Sequence, residues 1–230
     1  MKKAIILASG GMDSLVTTAI AKNENDDIYL LHTNYGQRTE DKELMAFRSI
    51  CSHYSPKDIL IVNIDYLAQI GGNSLTDKSI DVPKDKLGEE DVPNTYVPFR
   101  NGNLIAIATS WAEVIGAQSI YIGAVEVDGS GYPDCRKIFY DQLEKAINYG
   151  TKEDTKISIK TPLIHKNKSE IIKLGKTLNV PFELSWSCYN NNDIACGECD
   201  SCILRLRAFD EAGIIDPIKY IKKMRRLSND

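Results

Sequence analysis

The sequence predicts an α/β fold on a parallel, doubly wound sheet, with a small metal-binding appendage toward the C-terminal end. Three observations carry that expectation. Short runs rich in Ile, Val and Leu alternate with longer segments whose apolar residues recur every three or four positions, the signatures of strand and helix in turn. Strands joined through helices run parallel and are covered on both faces. Four of the six cysteines crowd into residues 188–202, beyond the point where the alternation stops.

The elements follow in order. Strands are expected over residues 4–8, 28–33, 59–64, 119–125 and, more weakly, 157–159, all apolar and rich in β-branched side chains. Helices are expected over 14–22 (starting near Asp13), 40–52, 103–115, 137–148 and 168–178. Residues 65–100 show no periodicity; the stretch 76–93 holds six acids, three lysines and two prolines and reads as a solvated loop on the ligand side. This divides the chain into an α/β domain over 1–180 and a metal-binding helical appendage over 181–230.

Composition narrows the function. With 28 Lys+Arg against 32 Asp+Glu in 230 residues, the net charge is −4. A protein that grips nucleic acid by bulk charge needs the opposite balance. No apolar run approaches the ~20 residues that cross a bilayer. A cytoplasmic protein with neither nucleic-acid nor membrane partners is expected.

The first strand leads directly into Ser9-Gly10-Gly11-Met12-Asp13-Ser14 and a helix. Paired glycines let the backbone turn sharply and present N–H groups, and a helix N-terminus favours an anion. A plain turn with Asp13 or Ser14 capping the helix is the simpler alternative. The motif resembles the PP-loop ATP pyrophosphatases, with the fold of the adenine nucleotide alpha hydrolases. That resemblance implies a loop cradling the β,γ-pyrophosphate of ATP while the α-phosphate is transferred to a substrate oxygen, with Mg²⁺ accompanying the nucleotide. It places ATP on Leu7, Ala8, Ser9, Gly10, Gly11, Met12, Asp13, Ser14 and Leu15, and the adenosine near His32.

Cys188, Cys196, Cys199 and Cys202 form C-x7-C-x2-C-x2-C. Two-residue spacings let thiolates converge on one ion, and four sulfurs with no open position describe a structural zinc site. An iron–sulfur cluster is the rival, although no Cys-Pro follows. His32, His53 and His165 do not stand at ligand spacing, and Cys51 reads as a core thiol.

Further segments narrow the substrate. Asn34-Tyr35-Gly36-Gln37-Arg38, Tyr96-Val97-Pro98-Phe99-Arg100-Asn101, Ser130-Gly131-Tyr132-Pro133-Asp134-Cys135-Arg136, Thr161-Pro162-Leu163 with Lys168, and Trp186-Ser187-Cys188-Tyr189 through Cys202 resemble, in order, the QueC family of queuosine biosynthesis. The resemblance implies conversion of 7-carboxy-7-deazaguanine, ammonia and ATP into 7-cyano-7-deazaguanine. A carboxylate is a poor electrophile until its oxygen is made a leaving group; ammonia then gives an amide, and activating the amide oxygen gives the nitrile. AMP with pyrophosphate or ADP with phosphate would both satisfy this chemistry.

In this framework Asp13, Ser14, Arg100 and Lys168 are the expected catalytic residues. Arg38, Arg100, Asn101, Tyr132, Asp134, Arg136 and Trp186 are expected to bind the substrate, and a homodimer is implied. Local alternatives stand beside these roles: surface ion pairs for the arginines, a helix cap at Lys137 for Asp134, and packing around the metal knuckle for Trp186. Three positions depart from the family pattern. Thr39 stands where His is common, Phe99 where Gly is common, and Gly129 where Tyr is common; Phe99 would narrow the pocket. The competing functions are a PP-loop tRNA-thiolating enzyme, which would need a path for RNA and often carries a catalytic cysteine pair or redox cluster, and a zinc-knuckle binding protein with an inactive nucleotide fold. The basic run from Lys222 to Arg226 reads as a solvated face.

Overall fold

The computed structural model describes residues 1–82, 92–126 and 131–222. Five strands form one parallel sheet in the order β3-β2-β1-β4-β5, made of β1 (Lys3–Leu7), β2 (Asp27–Asn34), β3 (Asp58–Asn63), β4 (Ser119–Ile122) and β5 (Ser158–Lys160). The chain moves outward from β1 to β3, then returns to the other side of β1 for β4. The order therefore reverses between β1 and β4, where such sheets leave a crevice beyond their carboxyl ends.

Helices cover both faces, as the alternation predicted. On one side α1 (Met12–Glu24), α2 (Glu40–Tyr54) and α6 (Lys168–Thr177) bury Leu15, Val16, Phe47, Ile50, Ile171 and Ile172. On the other, α4 (Arg100–Ile115) and α5 (Lys137–Gly150) bury Ile105, Ala108, Ala112 and Tyr140. Complete burial of the Leu, Val, Ile and Phe side chains among these contributes about 1.5–3 kcal/mol each, so these two layers supply the main driving force for the fold.

Several boundaries moved, each for a tertiary reason. β4 stops at Ile122 rather than 125, because Gly123 passes so close to α1 that an added Cβ would sit 2.9 Å from the Asp13 carbonyl. α4 starts at Arg100 rather than 103, and its Asn101 N–H donates to the Asp134 carboxylate at 2.9 Å. That acceptor lies far along the chain, out of reach of local periodicity. The short α3 (Tyr66–Ile70), within the stretch read as loop, shields a small core of Tyr35, Ile64, Leu67, Leu75 and Val97.

Beyond residue 181, α7 (Asp200–Glu211) places Ala208 and Phe209 in the same core as α1 and α6. Phe209 meets Phe182 edge to face at 5.2 Å. The cysteine segment forms a satellite core with Ala46, Val82 and Trp186. Joining the two, buried Arg205 pairs with Asp216 and donates to the Ser185 and Ser187 hydroxyls and the Phe182 carbonyl.

Candidate active site

A cavity of about 520 Å³ opens at the β1/β4 crevice. Its floor is the end of β1 and the turn into α1. Gly10 has φ +88°, and an added Cβ would lie 2.5 Å from the Glu43 carbonyl, so glycine is required both for conformation and for space. Gly11 precedes α1, and no side chain caps the helix. The terminal N–H groups are thus left for a ligand, against the alternative in which Asp13 or Ser14 caps the helix. Inside the loop, Gly11 N–H donates to Ser9 Oγ at 3.2 Å and Ser14 Oγ donates to the Gly11 carbonyl at 2.9 Å, which fixes both hydroxyls.

Lys168, the first residue of α6, reaches across 2.7 Å to Asp13 Oδ2. Its position is set by a capping box in which Asn167 and Glu170 satisfy one another's backbone N–H groups. Asp13 Oδ1 is buried and meets no donor among the described residues. A buried carboxylate oxygen without a partner beside a phosphate-type loop suits a hard cation that arrives with the nucleotide.

Leu7, Ala8, Ser9, Gly11, Met12, Asp13 and Ser14 line the cavity. Gly10, Leu15 and His32 do not; Gly10 is buried against Glu43, and the other two lie in the core. The His32 ring lies 2.9 Å from the Ala8 carbonyl, 3.1 Å from Asn34 Oδ1 and stacked on Phe47, and burial holds its pKa below the usual histidine value. The strand end beside the cavity is supplied by Leu31 and Thr33 instead.

Of the residues expected to bind the substrate, Arg38, Arg100, Asn101, Tyr132 and Trp186 line the cavity, whereas Asp134 and Arg136 do not. Arg100 donates to the Tyr35 hydroxyl at 2.9 Å. Tyr132 donates to Thr95 Oγ1 at 2.7 Å. Asn101 Nδ2 donates to the Asp134 carbonyl. Asp134 is buried and serves the start of α4, not the helix at Lys137; burial raises its pKa. Arg136 is exposed. Arg38 is committed to backbone, donating to the carbonyls of Ser74, Asp77 and Ile80 and so anchoring the 65–82 segment over the cavity.

Among the departures, Phe99 adopts φ +55°, the left-handed region in which glycine is comfortable. Its ring packs on Gly102 and edge to face on Phe139, outside the cavity, so it does not narrow the pocket. Thr39 is buried and donates to Glu43 Oε1 at 2.8 Å. Gly129, with Ser130, the acidic stretch 83–91 and residues 223–226 of the basic run, lies outside the described residues.

Sequence reasoning missed Tyr35, Glu43, Thr95 and Tyr189, all on the cavity wall. Tyr35 and Tyr189 stood inside quoted motifs. Glu43 was one acid among several on an amphipathic helix, and only the packing of α2 against Gly10 singles it out. Cys135 also lines the cavity, where burial pushes its thiol up to about 11.

The four clustered cysteines are buried, with sulfurs all within 4.8 Å of one another, a set that can hold a metal ion. Cys188 Sγ accepts from the backbone N–H groups of Asn190, Asn191 and Cys196 at 3.4 Å each, and Cys196 Sγ from those of Glu198 and Cys199. Such donors favour thiolate and orient the ligands. The cluster touches the Ser9–Ser14 loop through Trp186, whose backbone N–H donates to the Gly10 carbonyl at 2.9 Å while Lys42 lies 4.7 Å over its ring.

Comparison with known proteins places this geometry. The family described as "Queuosine biosynthesis protein QueC" matches residues 3–213. Proteins named 7-cyano-7-deazaguanine synthase are 58% identical in Chlorobium phaeobacteroides and 57% in Chlorobium chlorochromatii, each over 95% of this chain and 96% of the relative. Among solved structures, a 4-thiouridine synthetase in complex with RNA and ATP is similar in fold, with TM-score 0.51 and 19% identity over 92% of this chain and 50% of its own.

Proposed function

The chain belongs to the QueC family of queuosine biosynthesis proteins, and from that membership and its cavity we infer an ATP-dependent carbon–nitrogen ligase that makes 7-cyano-7-deazaguanine. The substrates are 7-carboxy-7-deazaguanine, ammonia and ATP. The observation that carries this reading is the convergence, in one cavity at the sheet's switch point, of an uncapped helix N-terminus, the Lys168–Asp13 pair and the Arg100–Tyr35 pair.

The uncapped N–H groups hold the pyrophosphate end of ATP, and the two serine hydroxyls rotate from their contacts within the loop to donate to it. Lys168 adds positive charge where the leaving pyrophosphate gathers negative charge. Asp13, through Oδ1, and the nucleotide's own phosphates would hold Mg²⁺, which supplies charge neutralisation for transfer at the α-phosphate. Arg100 sits on the substrate side, where its guanidinium orients the carboxylate toward that phosphate. Tyr132, Tyr189 and the Trp186 ring provide flat surfaces for the deazapurine. By this reading the first step joins the carboxylate oxygen to the α-phosphate and releases pyrophosphate. Ammonia then displaces AMP, and the same activation of the amide oxygen yields the nitrile.

The cysteine cluster would hold Zn²⁺ as a closed structural site, because it offers four thiolates and no open position. Cys135 supports the ligase over a thiolating enzyme: among the described residues it is the one cysteine on the cavity wall, and its thiol is held protonated at neutral pH. The acidic net charge supports small-molecule substrates without a nucleic-acid partner, and no helix among the described residues is long and apolar enough to cross a membrane. A cytoplasmic homodimer with the domain limits 1–180 and 181–230 completes the proposal. Purified protein given 7-carboxy-7-deazaguanine, ammonium and MgATP should form the cyano product with AMP and pyrophosphate, read by mass spectrometry. Release of ADP and phosphate instead would replace adenylation by phosphorylation; absence of the nitrile, with turnover on a tRNA, would overturn the reading.

A further inference from the structure

Glu43 occupies a place in the cavity that none of the roles above uses. Its backbone carbonyl lies against Gly10, so the residue is fixed to the phosphate loop. Its side chain lines the same cavity as Arg100 and Tyr35. Oε1 accepts from Thr39 Oγ1 at 2.8 Å and Oε2 from Gln37 Nε2 at 3.2 Å. Gln37 is itself oriented, since its Oε1 accepts from the Tyr35 N–H at 2.9 Å. The carboxylate is therefore held rigidly by two neutral donors, with accepting capacity left on both oxygens. It stands between the loop that carries the nucleotide and the arginine that carries the substrate.

The chemistry of amidation asks for a group at this junction. At neutral pH ammonia arrives mostly as ammonium, which has no lone pair for attack until it loses a proton. We propose that Glu43 is a catalytic residue: its carboxylate binds the ammonium ion, accepts the proton that frees the nitrogen lone pair, and later accepts one of the two N–H protons lost when the activated amide becomes a nitrile. This rests on the synthase reading.

The steps balance. Ammonium and the Glu43 carboxylate give ammonia and the carboxylic acid. The nitrogen lone pair forms the C–N bond to the acyl adenylate, and the C–O bond to AMP breaks with its electron pair leaving on the phosphate oxygen. The amide releases one further proton to solvent, and Glu43 returns its own to solvent between steps. O-adenylation of the amide leaves a protonated imidate with two N–H protons; one goes to solvent, and loss of the other to Glu43 as the C–O bond to AMP breaks leaves the C≡N bond.

The electrostatics agree with this geometry. Burial raises the Glu43 carboxyl to about 7, against the lowering effects of the Thr39 and Gln37 hydrogen bonds and of Arg100, while Glu40 raises it further. A base poised near the working pH combines adequate deprotonation with adequate strength. The groups facing it are Arg100 and Tyr35 across the cavity and Glu40 on its own helix.

The test separates carboxylate activation from nitrogen chemistry. Substrate-dependent exchange of labelled pyrophosphate into ATP, without ammonium, reports adenylation. Nitrile formation with ammonium chloride reports the whole sequence, and hydroxylamine, a neutral nucleophile at pH 7, reports acyl capture without a need for deprotonation. Glu43→Gln is expected to lower nitrile formation about 10²–10⁴-fold. Pyrophosphate exchange and hydroxamate formation should persist in that variant.

An unchanged nitrile rate in Glu43→Gln would overturn the proposal. So would a defect confined to the KM of the carboxylate substrate, which would make Glu43 a reader of the guanine-like edge. Loss of exchange and hydroxamate together with nitrile would make it a structural support. Should the variant fold poorly, the wild-type pH profile decides: the ammonium-dependent rate should rise through about 7 and level off, and a rise that continues until ammonium itself titrates would show that free ammonia is captured without Glu43. Wild-type protein lacking substrate-dependent exchange would remove the synthase reading itself, a result distinct from all of these.

Discussion

At the scale of single residues, the site depends on groups whose burial works against their preferred charge. The Glu43 carboxyl, raised to about 7, favours its protonated form in the folded protein. Its contribution to stability is complete below the usual glutamate range and is lost as pH rises through about 7. Glu43→Gln should therefore melt higher than wild type at pH 8, with the advantage shrinking toward pH 5, as followed by circular dichroism. Gly123 is the second sensitive position. A Cβ there would press on the Asp13 and Ser14 backbone, and such overpacking costs about 1–3 kcal/mol. Gly123→Ala is expected to weaken ATP binding in calorimetry before it measurably disturbs the cysteine cluster, because the clash falls on the start of α1. Asp13→Ala and Ser14→Ala should abolish turnover while the chain stays folded.

At the scale of elements, helix termini do most of the positioning. The Asn167–Glu170 capping box places Lys168 on its first helical turn. Loss of such a cap costs about 1 kcal/mol, so Asn167→Ala should lower the melting temperature by a few degrees. It should also raise the KM for ATP, because Lys168 then loses its fixed approach to Asp13. Phe99 shows the opposite case, a departure from the family pattern that leaves the site alone. Phe99→Gly relieves a left-handed backbone but removes the ring from Phe139, two effects of similar size and opposite sign. Stability and substrate KM should both stay near wild type, and a large change in KM would show that the ring reaches the substrate after all.

At the scale of the molecule, the C-terminal segment is tied to the Ser9–Ser14 loop at two levels. Phe182 and Phe209 complete the core beneath α1, and the Trp186 backbone N–H holds the Gly10 carbonyl. Metal held by the four cysteines would stabilise this arrangement through the folded state it favours. Chelation should lower the melting temperature and weaken ATP affinity together, and an ATP affinity unchanged after complete demetallation would show the two regions to be independent. The buried Arg205–Asp216 pair is the other tie. Arg205→Met would leave Asp216 buried without its cation, with a loss of about 3–5 kcal/mol read by denaturant unfolding.

The sequence by itself determined the α/β class, the glycine turn between β1 and α1 and the four-cysteine cluster, because each is encoded within a short span by periodicity, glycine placement or ligand spacing. It also carried the family, since the motifs run in order along nearly the whole chain. Only the tertiary structure decided which of the nominated side chains reach the cavity. Asp134 turned out to serve the start of α4, His32 to lie in the core and Arg38 to bind backbone, because each answers to a partner many residues away. Glu43 emerged for the same reason. Its role depends on a helix packing against Gly10 and on the burial that packing brings, and neither is written in the local pattern of α2.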